Sequence, residues 1–389
     1  MTLPHRFDDI RIETLRDIGG VKWSLFPDAI GAFIAEMDFG VAPPITQALH
    51  AEVDVGNFGY LPKALAQRMS EAYVEWSRTT YGWEVPAENV RPLADVIAGL
   101  TVAIEHFSAP GSPVIIPTPA YMPFLSVPLA MGREIIQVPM TPVDGRLSYD
   151  LDALDAAFCA GGNLLVLCNP HNPIGRVLTR EEMLAVSEVV ARHSGRVFAD
   201  EIHAPLVYPG QRHIPYASIS PVTAAHTVTA TSASKAWNLP GMKCAQLILS
   251  NDADLAKWTE VGVLAEHGAA NLGVVANTAA YTAGGPWLTE VLAYLDGSRH
   301  LLADLLARHL PQVRYTPPEG TYLAWLDCRD LGLGDHPAEF FLDNAGVALT
   351  DGALCGEAGK GFVRFNFATP RPIMREAIER MARSVAERK

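Results

Sequence analysis

A chain of 389 residues is too long for one compact core and fits about two domains, and 49% hydrophobic with 19% charged residues makes it globular and not disordered. A formal net charge of −13 repels phosphate backbones and argues against nucleic acid as a partner, with plain solubility as the bland reading of the acidity. No apolar run approaches the roughly 20 residues of a membrane helix, and the start MTLPHRFDDIRIETLRD lacks the apolar stretch of a secretory signal.

Residues 1–43 carry few regular signals and are expected to pack with the C-terminal unit. From 44 to 285 short apolar strands alternate with helical patterns. PVIIP (113–117), EIIQV (134–138) and NLLVLC (163–168) read as strands, the last apolar throughout, as a strand buried on both faces should be. The amphipathic stretch 179–193 predicts a helix with Thr179 as its N-cap and acids in its first turn. RVFAD (196–200), HTVTAT (226–231) and CAQLILS (244–250) continue the series, and the rhythm predicts an α/β unit with a largely parallel sheet. Residues 286–389 differ in texture. One long helix over 286–310, strands at 321–328 and 361–367, and helices near 336–345 and 371–388 suggest a smaller α+β unit. The cysteines Cys159, Cys168, Cys244, Cys328 and Cys355 are odd in number and form no CxxC. They read as free thiols of a reducing cytoplasm, without a zinc site.

In open α/β sheets ligands sit beyond the carboxyl ends of strands. Three of the strands run into chemically notable loops: Asn169-Pro170-His171-Asn172-Pro173, Asp200-Glu201-Ile202-His203, and Ser232-Ala233-Ser234-Lys235. If those strands are neighbours, an amide, a carboxylate and a lysine converge on one edge. That set matches what pyridoxal 5′-phosphate (PLP) chemistry needs. A lysine amine can condense with the cofactor aldehyde, a buried carboxylate keeps the pyridine nitrogen protonated, an amide donates to the ring phenolate, and hydroxyls or helix N–H groups take the phosphate. Taken singly, each residue has an ordinary reading: a solvated lysine, a turn aspartate, an Asn-Pro turn, a capping serine. The case is the combination and its order.

These loops, NPHNPIG, DEIH and SASKAWNLPG, resemble fold-type-I PLP enzymes, the aspartate aminotransferase superfamily. More narrowly they resemble its C–S lyase branch, the MalY/PatB-type cystathionine β-lyases, on AEMDF (35–39), FGY (58–60), PHNPIGR (170–176), DEIHAPLV (200–207) and GFVRFNFATP (361–370). The resemblance implies an α/β large domain with a mostly parallel seven-stranded sheet flanked by helices, plus a smaller α+β domain. It implies that Lys235 carries PLP and later removes the Cα proton, that Asp200 pairs with the pyridine nitrogen, and that Asn172 and His203 lie at the phenolate oxygen. Tyr121 would stack on the ring. Ser232, Ser234, Lys243 and the backbone N–H groups of Ala98 and Gly99 would hold the phosphate. Lys243 stands where many relatives carry an arginine, so it offers a point charge without a bidentate fork. Tyr60 would reach the phosphate across a homodimer interface. Arg364 would clamp the substrate α-carboxylate; in a strand its flanks Val363 and Phe365 face away from it. Ala35, Asn172 and Tyr121 would border the substrate, and Trp237 and Phe124 are candidates for the pocket wall or for core.

The implied reaction is β-elimination from L-cystathionine or another cysteine S-conjugate. The same lysine, aspartate and arginine would also serve an aminotransferase, and the local residues leave the two open. A PLP-binding regulatory protein is a third reading, disfavoured because the enzyme-like pattern starts by about residue 33 and the charge is wrong for DNA.

Overall fold

The computed structural model describes residues 6–143 and 145–388. Residues 1–5, where a secretory signal would begin, lie outside the described residues. Seven strands form one sheet in the order Val90–Leu93, Ala245–Leu249, Thr227–Thr231, Arg196–Asp200, Leu164–Cys168, Val114–Thr118, Ile135–Pro139. The last five run parallel to one another. Ala245–Leu249 is antiparallel to both of its neighbours. The edge strand Val90–Leu93 carries no alternation and contains Pro92, which is why its pattern does not announce a strand.

The apolar runs follow from burial on both faces. Val114, Ile116, Leu164, Val166 and Phe198 pack into one core. Ile115, Leu165, Leu167, Val197 and Ala199 pack into another on the opposite face. The helix Arg180–Arg192 covers the second face, and Thr179 caps it in a reciprocal box with Glu182.

The C-terminal residues build the long helix Gly285–His309 and an antiparallel sheet in the order Leu323–Asp327, Phe362–Asn366, Thr350–Asp351. The N-terminal segment is more regular than its sequence suggests, with helices Ile12–Ile18 and Val21–Ser24 and a short strand. That strand, Ile30–Gly31, pairs in parallel with Val347–Ala348. Ala32 N–H donates to Ala348 O at 2.8 Å and Asp38 N–H to Ala368 O at 3.0 Å. These contacts support grouping the N-terminal segment with the C-terminal residues, and we propose 43 and 285 as the domain boundaries. Among the described residues, no helix is long and apolar enough to cross a membrane.

One polar knot secures this attachment. Lys22 Nζ lies 2.8 Å from Asp38 Oδ2, both side chains are almost wholly buried, and Trp23 Nε1 donates to Asp38 Oδ1 at 2.8 Å. Removing one member strands the other charge in the core, which typically costs 3–5 kcal/mol, whereas replacing both by apolar groups restores much of the loss. Asp38→Ala is therefore expected to destabilise by about 3–5 kcal/mol, read from urea unfolding, with Lys22→Met added to it recovering part. A cost below about 1 kcal/mol, the range of exposed pairs, would show the knot to be solvated.

Candidate active site

The strand order meets the condition that the sequence leaves open. Cys168 pairs with Asp200 and Asp200 with Ala230, so the three loops leave adjacent strand ends. Their geometry is locally enforced. Asn169 N–H donates to Asp200 O at 3.0 Å, and Asn169 Oδ1 accepts from Leu178 N–H at 3.0 Å, which folds the Asn-Pro loop back on itself. Ala233 N–H donates to Asn277 Oδ1 at 3.0 Å, pinning the turn that carries Lys235.

Lys235 Nζ donates to Ala35 O at 2.9 Å. Burial, helped by the Arg364 cation, pulls the Lys235 ammonium down to about 8, against the opposing pull of Glu36 and Asp200. Asp200 is 2% exposed and accepts from Ile202 N–H at 3.0 Å. Burial pushes its carboxyl up to about 7, with Glu201 adding to the rise while the Ile202 N–H and Lys235 oppose it. A buried acid in this state gains strongly from a cation placed against it. His203 is buried, its ring edge-on to Tyr322 at 6.1 Å, and its Nδ1 has no hydrogen-bond partner among the described residues. Burial first, then the Lys235 and Arg364 charges, hold His203 down to about 3, so it is neutral.

Arg364 is 2% exposed, yet among the described residues it pairs with no carboxylate. Its Nη1 donates to Asn172 Oδ1 at 3.1 Å, and its Nη2 donates to Phe33 O at 2.7 Å and Thr350 Oγ1 at 3.1 Å. Nε has no partner among the described residues. A buried guanidinium held by neutral acceptors costs desolvation that an incoming carboxylate would offset. Because Asn172 spends its oxygen on Arg364, its NH2 group is left to donate. Lys235, Arg364, Ala35 and Tyr121 line one cavity of about 630 Å³. Tyr121 is half-buried with its ring edge-on to Phe124 at 5.4 Å, and burial raises its phenol.

The lysine and guanidinium on one cavity, with the Asn172 amide bonded to that guanidinium and the Asp200 carboxylate acting on the lysine, fit PLP, and the orphaned His203 nitrogen is where a further hydrogen bond can form. The residues expected to hold the phosphate are differently arranged. Ser232 is buried, donates to Cys244 O at 2.7 Å and accepts Ser234 N–H at 3.0 Å, so its hydroxyl is committed to backbone. Ala98 N–H already donates to Asp95 Oδ1 at 2.9 Å, and Gly99 N–H to Asp95 O at 3.3 Å. A Cβ on Gly99 would sit 3.2 Å from Ala230 Cβ, so the glycine lets the helix Val96–His106 approach the sheet closely. Lys243 Nζ pairs with Asp95 Oδ2 at 2.9 Å. Tyr60 stands 96% exposed after the helix Pro43–Val55.

Trp237 and Phe124 are core side chains, 0% and 2% exposed, and Trp237 Nε1 is spent on Gly284 O. Neither lines the cavity that holds Lys235. Residues that the sequence did not single out stand in the site instead: Tyr322, whose hydroxyl shares Ala35 O with Lys235 at 2.9 Å, and Phe33, Thr350 and Glu36 on the cavity wall. Only Glu36, inside AEMDF, had a sequence signal near it.

Residues 34–381 match the family model described as aminotransferase class I and II. The chain is 36% identical to the cystathionine β-lyase of Corynebacterium glutamicum, over 95% of this chain and 98% of that one. It is 33% identical to the cystathionine β-lyase PatB of Bacillus subtilis, over 93% and 95%. Its fold superimposes on the PLP-bound C–S lyase of Staphylococcus hominis with a TM-score of 0.91 at 28% identity, covering 99% of this chain and 100% of that one. With the match spanning most of its length and the site built as described, the chain belongs to the aminotransferase class I and II family.

Proposed function

We propose that the protein is a PLP-dependent carbon–sulfur β-lyase that takes L-cystathionine or a related cysteine S-conjugate, with water, to a thiol, pyruvate and ammonia. The observation that carries it is the buried, carboxylate-free guanidinium of Arg364 on the same cavity as the depressed Lys235 amine. Full-length likeness to proteins named cystathionine β-lyase supports elimination as the outcome.

When bound, PLP supplies an aldehyde for amine capture and a sink for the electrons released at Cα. The chain's own residues do the rest. Arg364 would orient the substrate α-carboxylate with its charge and its uncommitted Nε–H, and Asn172, locked by Arg364, would have its NH2 group left for the PLP ring oxygen. Lys235 takes the Cα proton, and Ala35 O accepts a hydrogen bond from the resulting ammonium. The buried Asp200 carboxylate would hold the pyridine nitrogen of PLP in its protonated form. The Cβ–S bond then breaks, and the thiolate leaves with the electron pair. The active form is a homodimer in which Tyr60 reaches the partner's phosphate site. The exposure of Tyr60 together with Phe58 and Leu264 supports that assembly. The five unpaired cysteines support a cytoplasmic setting.

The test is a product assay across S-substituted cysteines. Pyruvate and thiol in equal amounts with no keto acid are the expected result. Turnover that depends on a keto acid and yields little pyruvate would instead make the protein an aminotransferase, which the same residues permit. A second measurement follows from Lys235. Its amine is neutral only above about pH 8. Cofactor uptake by the cofactor-free chain, followed by visible absorbance, should therefore quicken as pH rises through about 8 and level off above it. A rate flat from pH 6 to pH 9 would contradict a rate-limiting neutral amine.

A further inference from the structure

An anion stands among the residues expected to hold the phosphate. Asp95, at the N-cap of the helix Val96–His106, accepts Ala98 N–H at 2.9 Å with one oxygen and the Lys243 ammonium at 2.9 Å with the other. Those are two of the donors assigned to the cofactor phosphate. The carboxylate is half-buried, and although burial raises its pKa, the Ala98 N–H, Lys243 and the Ile97 N–H bring it below the ordinary value, so it is ionised at neutral pH. Its charge reaches the cavity, where it acts on Tyr121 alongside Asp200 and Arg364. Ser232 adds no free proton there. Lys243, which is exposed and sits in left-handed backbone before the strand Ala245–Leu249, is thus paired with Asp95 at the surface.

We propose that Asp95 is an internal competitor of the cofactor phosphate, which lowers cofactor affinity by occupying Ala98 N–H and Lys243. This rests on the PLP reading above. A phosphate dianion approaching the helix N-terminus meets a favourable macrodipole and one N–H group, but also a like charge that it must displace or sit beside. The device acts on retention of the phosphate and not on the ring, whose partners are Lys235, Asp200 and Asn172.

The experiment uses the holoenzyme. Cofactor release into buffer containing a scavenger is followed by loss of the visible band, and equilibrium affinities are measured for PLP and for pyridoxal, which lacks the phosphate. Asp95→Asn keeps a capping oxygen, so the helix end is preserved while Lys243 is freed. It is expected to slow release and tighten PLP about fivefold, with pyridoxal unchanged. Asp95→Asn combined with Lys243→Ala should lose the part of that gain that the freed lysine supplies and keep the part due to removing the like charge, while Lys243→Ala alone should change PLP affinity by less than about twofold because Asp95 already occupies the lysine. Equal or weaker PLP binding in Asp95→Asn would overturn the proposal, and so would parallel shifts for PLP and pyridoxal, which mark a general structural effect. A wild-type protein without any cofactor band would overturn the PLP reading itself; a normal band with an unresponsive Asp95 variant would overturn only this inference.

Discussion

Lys235→Ala is expected to lower kcat by at least about 10⁴-fold, the upper range for losing a positioned proton-transfer group, because the covalent anchor is lost as well. Lys235 is the lysine on the cavity wall, and its amine is depressed to about 8 by burial and by Arg364, so at neutral pH it exchanges protons readily. Lys235→Arg should fail equally, since a guanidinium does not deprotonate in this range. Added small primary amines should restore a small part of the lost turnover by acting as an external base, with a larger effect for more basic amines. A Lys235→Ala variant that retains a tenth of wild-type kcat would sink the assignment.

Replacing Arg364 should give the second largest loss. Arg364→Ala removes the proposed carboxylate clamp and also frees Asn172 and Thr350, which it holds at 3.1 Å each. Truncating one side of a buried, hydrogen-bonded charge pair costs about 2–5 kcal/mol, so kcat/KM should fall by roughly 10²- to 10³-fold. Arg364→Lys should recover less than a tenth of that, because an ammonium lacks the fork that matches a carboxylate. The loss should extend to kcat, since orientation of the Cα–H bond goes with the clamp. Steady-state kinetics on one S-conjugate checks both variants. An amine lacking the α-carboxylate separates the effects: wild type and variant should process it at similar low rates. Equal losses on both compounds would mean that Arg364 supports the fold of the site and not the substrate.

The fold was legible where local pattern and global burial agree. Leu164–Cys168 and Arg196–Asp200 read as strands because each is apolar on both faces, and the sheet covers both faces. The helix Arg180–Arg192 was legible from Thr179 and its first-turn acids because a cap is a local bond. Val90–Leu93 was not, since a short edge strand containing proline lacks alternation. The N-terminal segment read as irregular because its strand gains its hydrogen bonds from Val347–Ala348, more than 300 positions along the chain.

The site divides in the same way. The placing of Lys235, Asp200 and Asn172 just beyond strand ends was legible in the chain, because strand ends follow from local apolar runs. The cavity that joins Lys235 to Arg364 was not, because Phe33 and Thr350 line it from separate stretches and Tyr322 reaches Ala35 on its wall from a third, all brought together by packing. Nor was the pairing of Lys243 with Asp95, 148 positions apart. What the amino-acid order decides alone is which groups can do chemistry; which of them are desolvated, paired or left waiting depends on distance in space, and only the folded chain sets that.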